Sequence, residues 1–180
     1  MCKNKINFFF IIFLLSTNLI YADQKDSRLD DLFDELFLSS SNAKVNIILS
    51  DIWDIWYIAD NEKTQLIFDE ANQFMDRGDF ESSIKLFTKA IDQSPDFAEA
   101  WNKRATVYFL NGEFEKSIAD IEKTLALEPR HFGALDGLAE IYLIKNDFLS
   151  AAATYRRILE IIPLSQKSKD RIEYINESMV

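Results

Sequence analysis

Residues 98–131 read AEAWNKRATVYFLNGEFEKSIADIEKTLALEPRH, and this stretch decides the fold. Trp101, Ala105 and Tyr108 recur at helical spacing in its first half, and Ile118, Ile121 and Leu125 in its second, as expected of two helices with one apolar face each. Gly112 stands between them, where a chain leaving a helix often takes positive φ. Pro129 ends the second helix, because its ring and missing N–H cannot continue one. The unit is helix, turn, helix.

The unit recurs. The three prolines, Pro95, Pro129 and Pro163, lie two equal intervals of 34 residues apart. The same interval aligns Ala71, Ala105 and Ala139; Phe74, Tyr108 and Tyr142; Gly78, Gly112 and Asn146; Ser83, Ser117 and Ala151; and Phe87, Ile121 and Tyr155. Fixed spacing over so many positions marks an internal repeat. Asp96 is placed to cap the helix entering the middle unit. With only four Gly and three Pro in 180 residues, a chain of many strands and tight turns is excluded, and an all-α domain is expected.

The series Trp101, Ala105, Tyr108, Gly112, Ser117, Ile121, Pro129 resembles the tetratricopeptide repeat. The resemblance implies units at 64–97, 98–131 and 132–165, stacked as a solenoid with a concave inner face. Where that family commonly carries Leu, this chain has Glu70 and Arg104. Being one repeat apart and opposite in charge, they are expected to pair across the stack.

Residues 23–63 lack the signature and read as a degenerate helical hairpin. Ser27 and Asp30 have capping-box spacing, Leu29, Leu32, Phe33, Leu36 and Phe37 form one apolar stripe, and Ser39 to Asn42 form a loop. A second helix over 43–58 carries Ile47, Ile48, Ile52, Trp53 and Trp56. Trp56 and Tyr57 are adjacent and cannot face the same way, so one of them is expected at the surface. This hairpin is expected to cover the N-terminal end of the stack, and a helix within 166–180, striped by Ile172, Ile175 and Met179, the C-terminal end.

At the start of the chain, Lys3 and Lys5 precede the apolar run Phe8 to Leu15, and Ala22 is followed by polar residues. This is the pattern of a secretory signal over 1–22 with cleavage after Ala22; an uncleaved membrane anchor at 6–21 is the alternative. Export to the periplasm or its equivalent is expected. Removing 1–22 takes away two Lys and no acid, deepening the net charge from −10 to −12, which disfavours nucleic acid and anionic membrane surfaces as partners. It also removes Cys2, the only cysteine.

Little in the sequence points to catalysis, cofactors or metal. One histidine, His131, and no cysteine in the expected mature chain make an N/S zinc site improbable, and no two glycines are close enough for a phosphate loop. His131 is expected to be a packing or surface residue, and the tryptophans to pack between helices. The family resemblance instead implies protein or peptide binding in the groove, through the second, fifth, ninth and twelfth positions of each first helix. Here these are Gln65, Phe68, Asn72 and Met75; Glu99, Asn102, Thr106 and Phe109; Gly133, Asp136, Glu140 and Leu143. The cations with which some family members clamp a C-terminal carboxylate are replaced by Phe68, Gly133 and Gly137, with only Asn72 and Lys103 compatible. A basic partner suits Asp76, Asp136 and Glu140. The whole resembles short secreted repeat proteins of Gram-negative bacteria, implying an interaction module in an envelope complex. The alternatives are a hydrolase or other enzyme using groove carboxylates, or a self-associating structural protein.

Overall fold

A computed structural model describes residues 26–179; the signal at 1–22, its cleavage site and the alternative anchor lie outside the described residues. Nine helices and no strands are found among those described: α1 (Arg28–Leu38), α2 (Asn42–Trp56), α3 (Glu62–Asp76), α4 (Phe80–Gln93), α5 (Ala98–Leu110), α6 (Phe114–Leu127), α7 (Phe132–Ile144), α8 (Phe148–Ile161) and α9 (Gln166–Ser178). The pairs α3–α4, α5–α6 and α7–α8 pack as antiparallel hairpins and stack in order. The fold is an all-α helical solenoid.

Each repeated residue has a repeated physical task. Gly78 and Gly112 sit at φ +76° and Asn146 at φ 58°, the left-handed turn residue that ends the first helix of each unit. In each unit an amide just beyond the turn reaches back into that helix, from Asp79 to the Phe74 carbonyl (3.0 Å), from Glu113 to Tyr108 (2.8 Å) and from Asp147 to Tyr142 (2.8 Å). Buried Ser83 and Ser117 hydroxyls donate to the Ala71 and Ala105 carbonyls at 3.0 and 2.8 Å, tying the two helices of a unit together; the third unit has Ala151 there. Phe87, Ile121 and Tyr155 fill the interior.

The hairpin α1–α2 forms, but not where the stack ends. It crosses to the third repeat: α1 packs against α8, and Leu29, Phe33, Leu36, Val45, Ile48, Ile52 and Trp56 share one core with Phe132, Leu135, Tyr155 and Ile158. The reason is aromatic complementarity. Trp56 stacks on the His131 ring, centroids 4.1 Å apart and 10° between planes, and Trp53 meets Trp56, His131 and Phe132 edge-on. Arg130 lies 4.1 Å above the Phe33 ring and donates to Asp30 at 2.8 Å. The first repeat's outer face keeps Leu66 exposed.

Several finer expectations fail for local reasons. Phe37 and Ile47 are exposed, because the apolar stripes are wider than the surface that receives them. Ser27 makes no capping bond; the Asp26 carboxylate takes the Arg28 amide instead, at 2.9 Å. No ion pair joins Glu70 and Arg104 among the described residues. Arg104 binds Asp120 of its own unit through two nitrogens, at 2.7 and 2.8 Å, and donates to Thr88, while Glu70 is exposed. Of the adjacent pair, Trp56 is buried and Tyr57 faces outward. At the other end Ile175 is buried, Ile172 half-buried and Met179 exposed.

Candidate functional site

The first helices of the repeats, α3, α5 and α7, line the concave side, and α9 continues the series. Their N-terminal ends are covered by the chain's own hairpin, position by position. Gln65 is held by the segment after α2, accepting from the Ala59 amide at 2.7 Å and donating to the Tyr57 carbonyl at 3.2 Å. Glu99, fully buried, accepts from His131 Nε2 and from Asn102, both at 2.9 Å. The His131 Nδ1 accepts the Ala134 amide at 3.1 Å and so caps α7; a ring nitrogen that accepts leaves its proton on the other, which fixes the donor toward Glu99. The second Glu99 oxygen has no hydrogen-bond partner, with Lys103 Nζ at 3.8 Å and itself 4.8 Å above the Tyr57 ring. At Gly133 an added Cβ would meet the Trp53 ring at 2.7 Å. His131 is thus a packing residue at the centre of a buried network.

Past this covered rim the groove opens. A cleft of about 220 Å³ lies between α5 and α7, with Ala105, Ile121, Ala134 and Gly137 among its apolar lining. Of the twelve residues read as groove-facing, Asn102, Thr106, Phe109, Gly133, Asp136 and Glu140 come together there, and Gln65 and Glu99 lie at the covered rim. The other four do not. Phe68 is fully buried, its ring against Tyr57, Phe87 and Phe97. Asn72 turns its amide to the Phe68 carbonyl at 2.9 Å, and Met75 and Leu143 pack half-buried against the two larger cores. A second cleft, about 260 Å³, shares Gly133 and Asp136 with the first and has Trp53, Ile162 and Lys167 on its walls.

The acids of the open groove are already matched. Lys167 contacts Asp136 at 2.7 Å and Glu140 at 3.6 Å, and Arg171 reaches Glu140 at 3.0 Å. Tyr155 donates to the same Glu140 oxygen at 2.9 Å, and burial together with that carboxylate pushes the Tyr155 hydroxyl well above its ordinary range. The preference for a basic partner at Asp136 and Glu140 therefore loses its basis. The signal was in the sequence: one further repeat interval from Gly133 and Gly137 lands on Lys167 and Arg171, placing both on the groove side of α9. Trp53, by contrast, had no family position to point to it. Among the described residues no cluster of His, Cys, Asp and Glu could hold a metal ion.

Comparison with known proteins agrees with the fold. A family model described as TPR repeat matches residues 71–112, and one described as tetratricopeptide repeat matches 98–131. A TPR repeat-containing protein of Rhizobium etli is 33% identical over 83 residues, 46% of this chain and 41% of that protein; the match thus spans less than half of the curated relative. Among solved structures, the first TPR of Spaghetti (RPAP3) bound to the HSP90 peptide SRMEEVD has a TM-score of 0.62 at 21% identity, covering 67% of this chain and 96% of that one. The Yersinia enterocolitica type III secretion chaperone SycD, in complex with a peptide of the translocator YopD, has a TM-score of 0.63 at 14% identity, covering 67% and 97%.

Proposed function

Because tetratricopeptide repeats build this chain, we propose that it is a protein-interaction module that holds a segment of a partner protein in the open half of its concave groove, on the envelope side of an export step. One observation carries the groove reading. The hairpin fills the N-terminal ends of α5 and α7, yet the next two turns are left as a cleft whose floor is apolar and whose rim is amide, hydroxyl and paired charge. A surface of that kind, concave and apolar with a few convergent polar groups, suits a ligand. The peptides named for the Spaghetti and SycD structures support the same class of partner. The fold is typically a binding scaffold rather than an enzyme, and the groove carboxylates are engaged by cations. Export rests on the pattern of residues 1–22; none of the described helices is long and apolar enough to cross a membrane.

The test is site-specific photocrosslinking in cells. A crosslinking amino acid replaces Thr106 in the cleft or, as a control, exposed Lys89 on α4. The expected result is a discrete protein adduct in the envelope fraction from position 106 and none from position 89. Equal adducts from both positions, or none from 106, would overturn the groove reading. Adducts and protein confined to the cytosol would overturn export.

A further inference from the structure

The chain has four glycines, and three have a structural explanation. Gly78 and Gly112 occupy positive φ, and Gly133 makes room for Trp53. Gly137 has none. It lies in the interior of α7 with ordinary helical φ, and an added Cβ would meet only the Ile121 Cδ1, at a comfortable 3.7 Å. A helix-interior glycine weakens the helix relative to alanine, and here neither turn nor packing requires it. What its missing side chain leaves is depth in the cleft between α5 and α7, beside Ala105, Ile121 and Ala134.

We infer that this cleft is an anchor pocket for one apolar side chain from the interior of a partner's extended segment, and that Gly137 is the residue that sets its depth. The inference rests on the groove reading above and specifies the occupant. Charge decides which kind of segment enters. Three cations on the groove-side helices α5 and α9, Lys103, Lys167 and Arg171, face Glu99, Asp136 and Glu140 respectively. A chain terminus bringing a free carboxylate would find these three cations already committed, and would bury its charge at a cost. A neutral stretch of main chain does fit. The Asn102 side-chain amide donates to Glu99 and the Thr106 O–H to the Asn102 main-chain carbonyl, which leaves the Asn102 side-chain carbonyl and the Thr106 oxygen as acceptors for its N–H groups. The occupant is therefore an internal, uncharged segment with one aliphatic or aromatic anchor.

The test uses the full chain and short random peptides, acetylated and amidated so that neither end is charged. Peptides selected on the wild type are then measured against Gly137→Ala, Gly137→Leu and Thr106→Arg, and again with a free C-terminal carboxylate. Selected peptides are expected to share a single internal apolar residue and to bind no better with a free carboxylate. Gly137→Leu should weaken them roughly tenfold to hundredfold, the value of one buried apolar side chain. Gly137→Ala should weaken the largest anchors while raising Tm, so that loss of binding cannot be loss of fold. Unchanged affinity for Gly137→Leu with loss on Thr106→Arg would refute the anchor pocket and leave the groove reading standing. Indifference to all three variants would refute both. Dependence on the free carboxylate, or failure to select any capped peptide, would overturn the internal anchor. Wild-type self-association abolished by Gly137→Leu would overturn it too, by making a second copy the occupant.

Discussion

Substitution of Gly133 by alanine tests how firmly the N-terminal hairpin is seated. The new methyl carbon would lie 2.7 Å from Trp53 Cη2 and 3.1 Å from Cζ2, inside van der Waals contact, so the indole must retreat by several tenths of an ångström. Its neighbours resist: Trp56, Tyr57, His131 and Phe132 all meet its ring within 6 Å between centroids. Overpacking of this kind costs about 1–3 kcal/mol. The helix-propensity gain on replacing glycine, up to about 1 kcal/mol in a helix interior, is smaller here because Gly133 is the second residue of α7. The net expectation is a loss of about 1–2 kcal/mol, a fall in Tm of roughly 2–8 °C for a chain of this size. Four residues on, the same change at Gly137 should raise Tm. The assay is thermal and urea unfolding of Gly133→Ala, Trp53→Ala and the double variant. In the cycle, removing the indole should relieve most of the Gly133→Ala penalty. A stabilised Gly133→Ala, or a penalty unchanged by Trp53→Ala, would refute the seating of α2 on α7.

Three further outcomes follow from named contacts. Trp56→Ala removes a fully buried ring stacked on His131 and should cost about 3–5 kcal/mol in urea unfolding; a loss below about 1 kcal/mol would mean the hairpin does not hold to the solenoid as described. Asp120→Ala leaves the mostly buried Arg104 guanidinium without its carboxylate and should cost about 3–5 kcal/mol, whereas Arg104→Leu with Asp120→Leu should recover most of it; equal stability of single and double variants would contradict this. Asp147 caps α8 through the Ser150 amide, and hydrogen bonds from the Ser150 hydroxyl and then that amide hold its carboxyl below its ordinary, unfolded value. Its folded value being depressed, the cap's contribution is present above that unfolded value and is lost as pH falls through the lowered folded one. Asp147→Asn, an equally good cap that does not titrate, should flatten the acid limb of Tm against pH, and an unaltered limb would count against the assignment.

The repeat was legible because it is local. Pro95, Pro129 and Pro163, the turn residues Gly78, Gly112 and Asn146, and the serines at 83 and 117 each act within one unit, so spacing alone reveals them. What the hairpin rests on was not legible. Leu29, Phe33 and Leu36 announce that a face is buried but carry no address, and the fit of Trp53 to Gly133 joins residues eighty apart that no periodicity relates. Arg104 was misassigned for a related reason: its opposite number one repeat away is exposed Glu70, but Asp120 on the antiparallel helix of the same unit lies closer and is buried. Within the groove, family positions located Asn102, Thr106, Phe109, Asp136 and Glu140, and missed that Phe68 belongs to the core beneath Tyr57.

In a stack of helix pairs each unit ordinarily touches only its neighbours, so units can be gained or lost in evolution and the ends fray first. Here the Asp30–Arg130 bridge and the Trp56–His131 stack close the chain upon itself. A unit inserted between α4 and α7 would move His131 and Gly133 out from under the tryptophans. The hairpin therefore acts as a ruler that fixes the number of repeats, and it converts a linear array, which could melt piecemeal, into a ring of contacts that must open together.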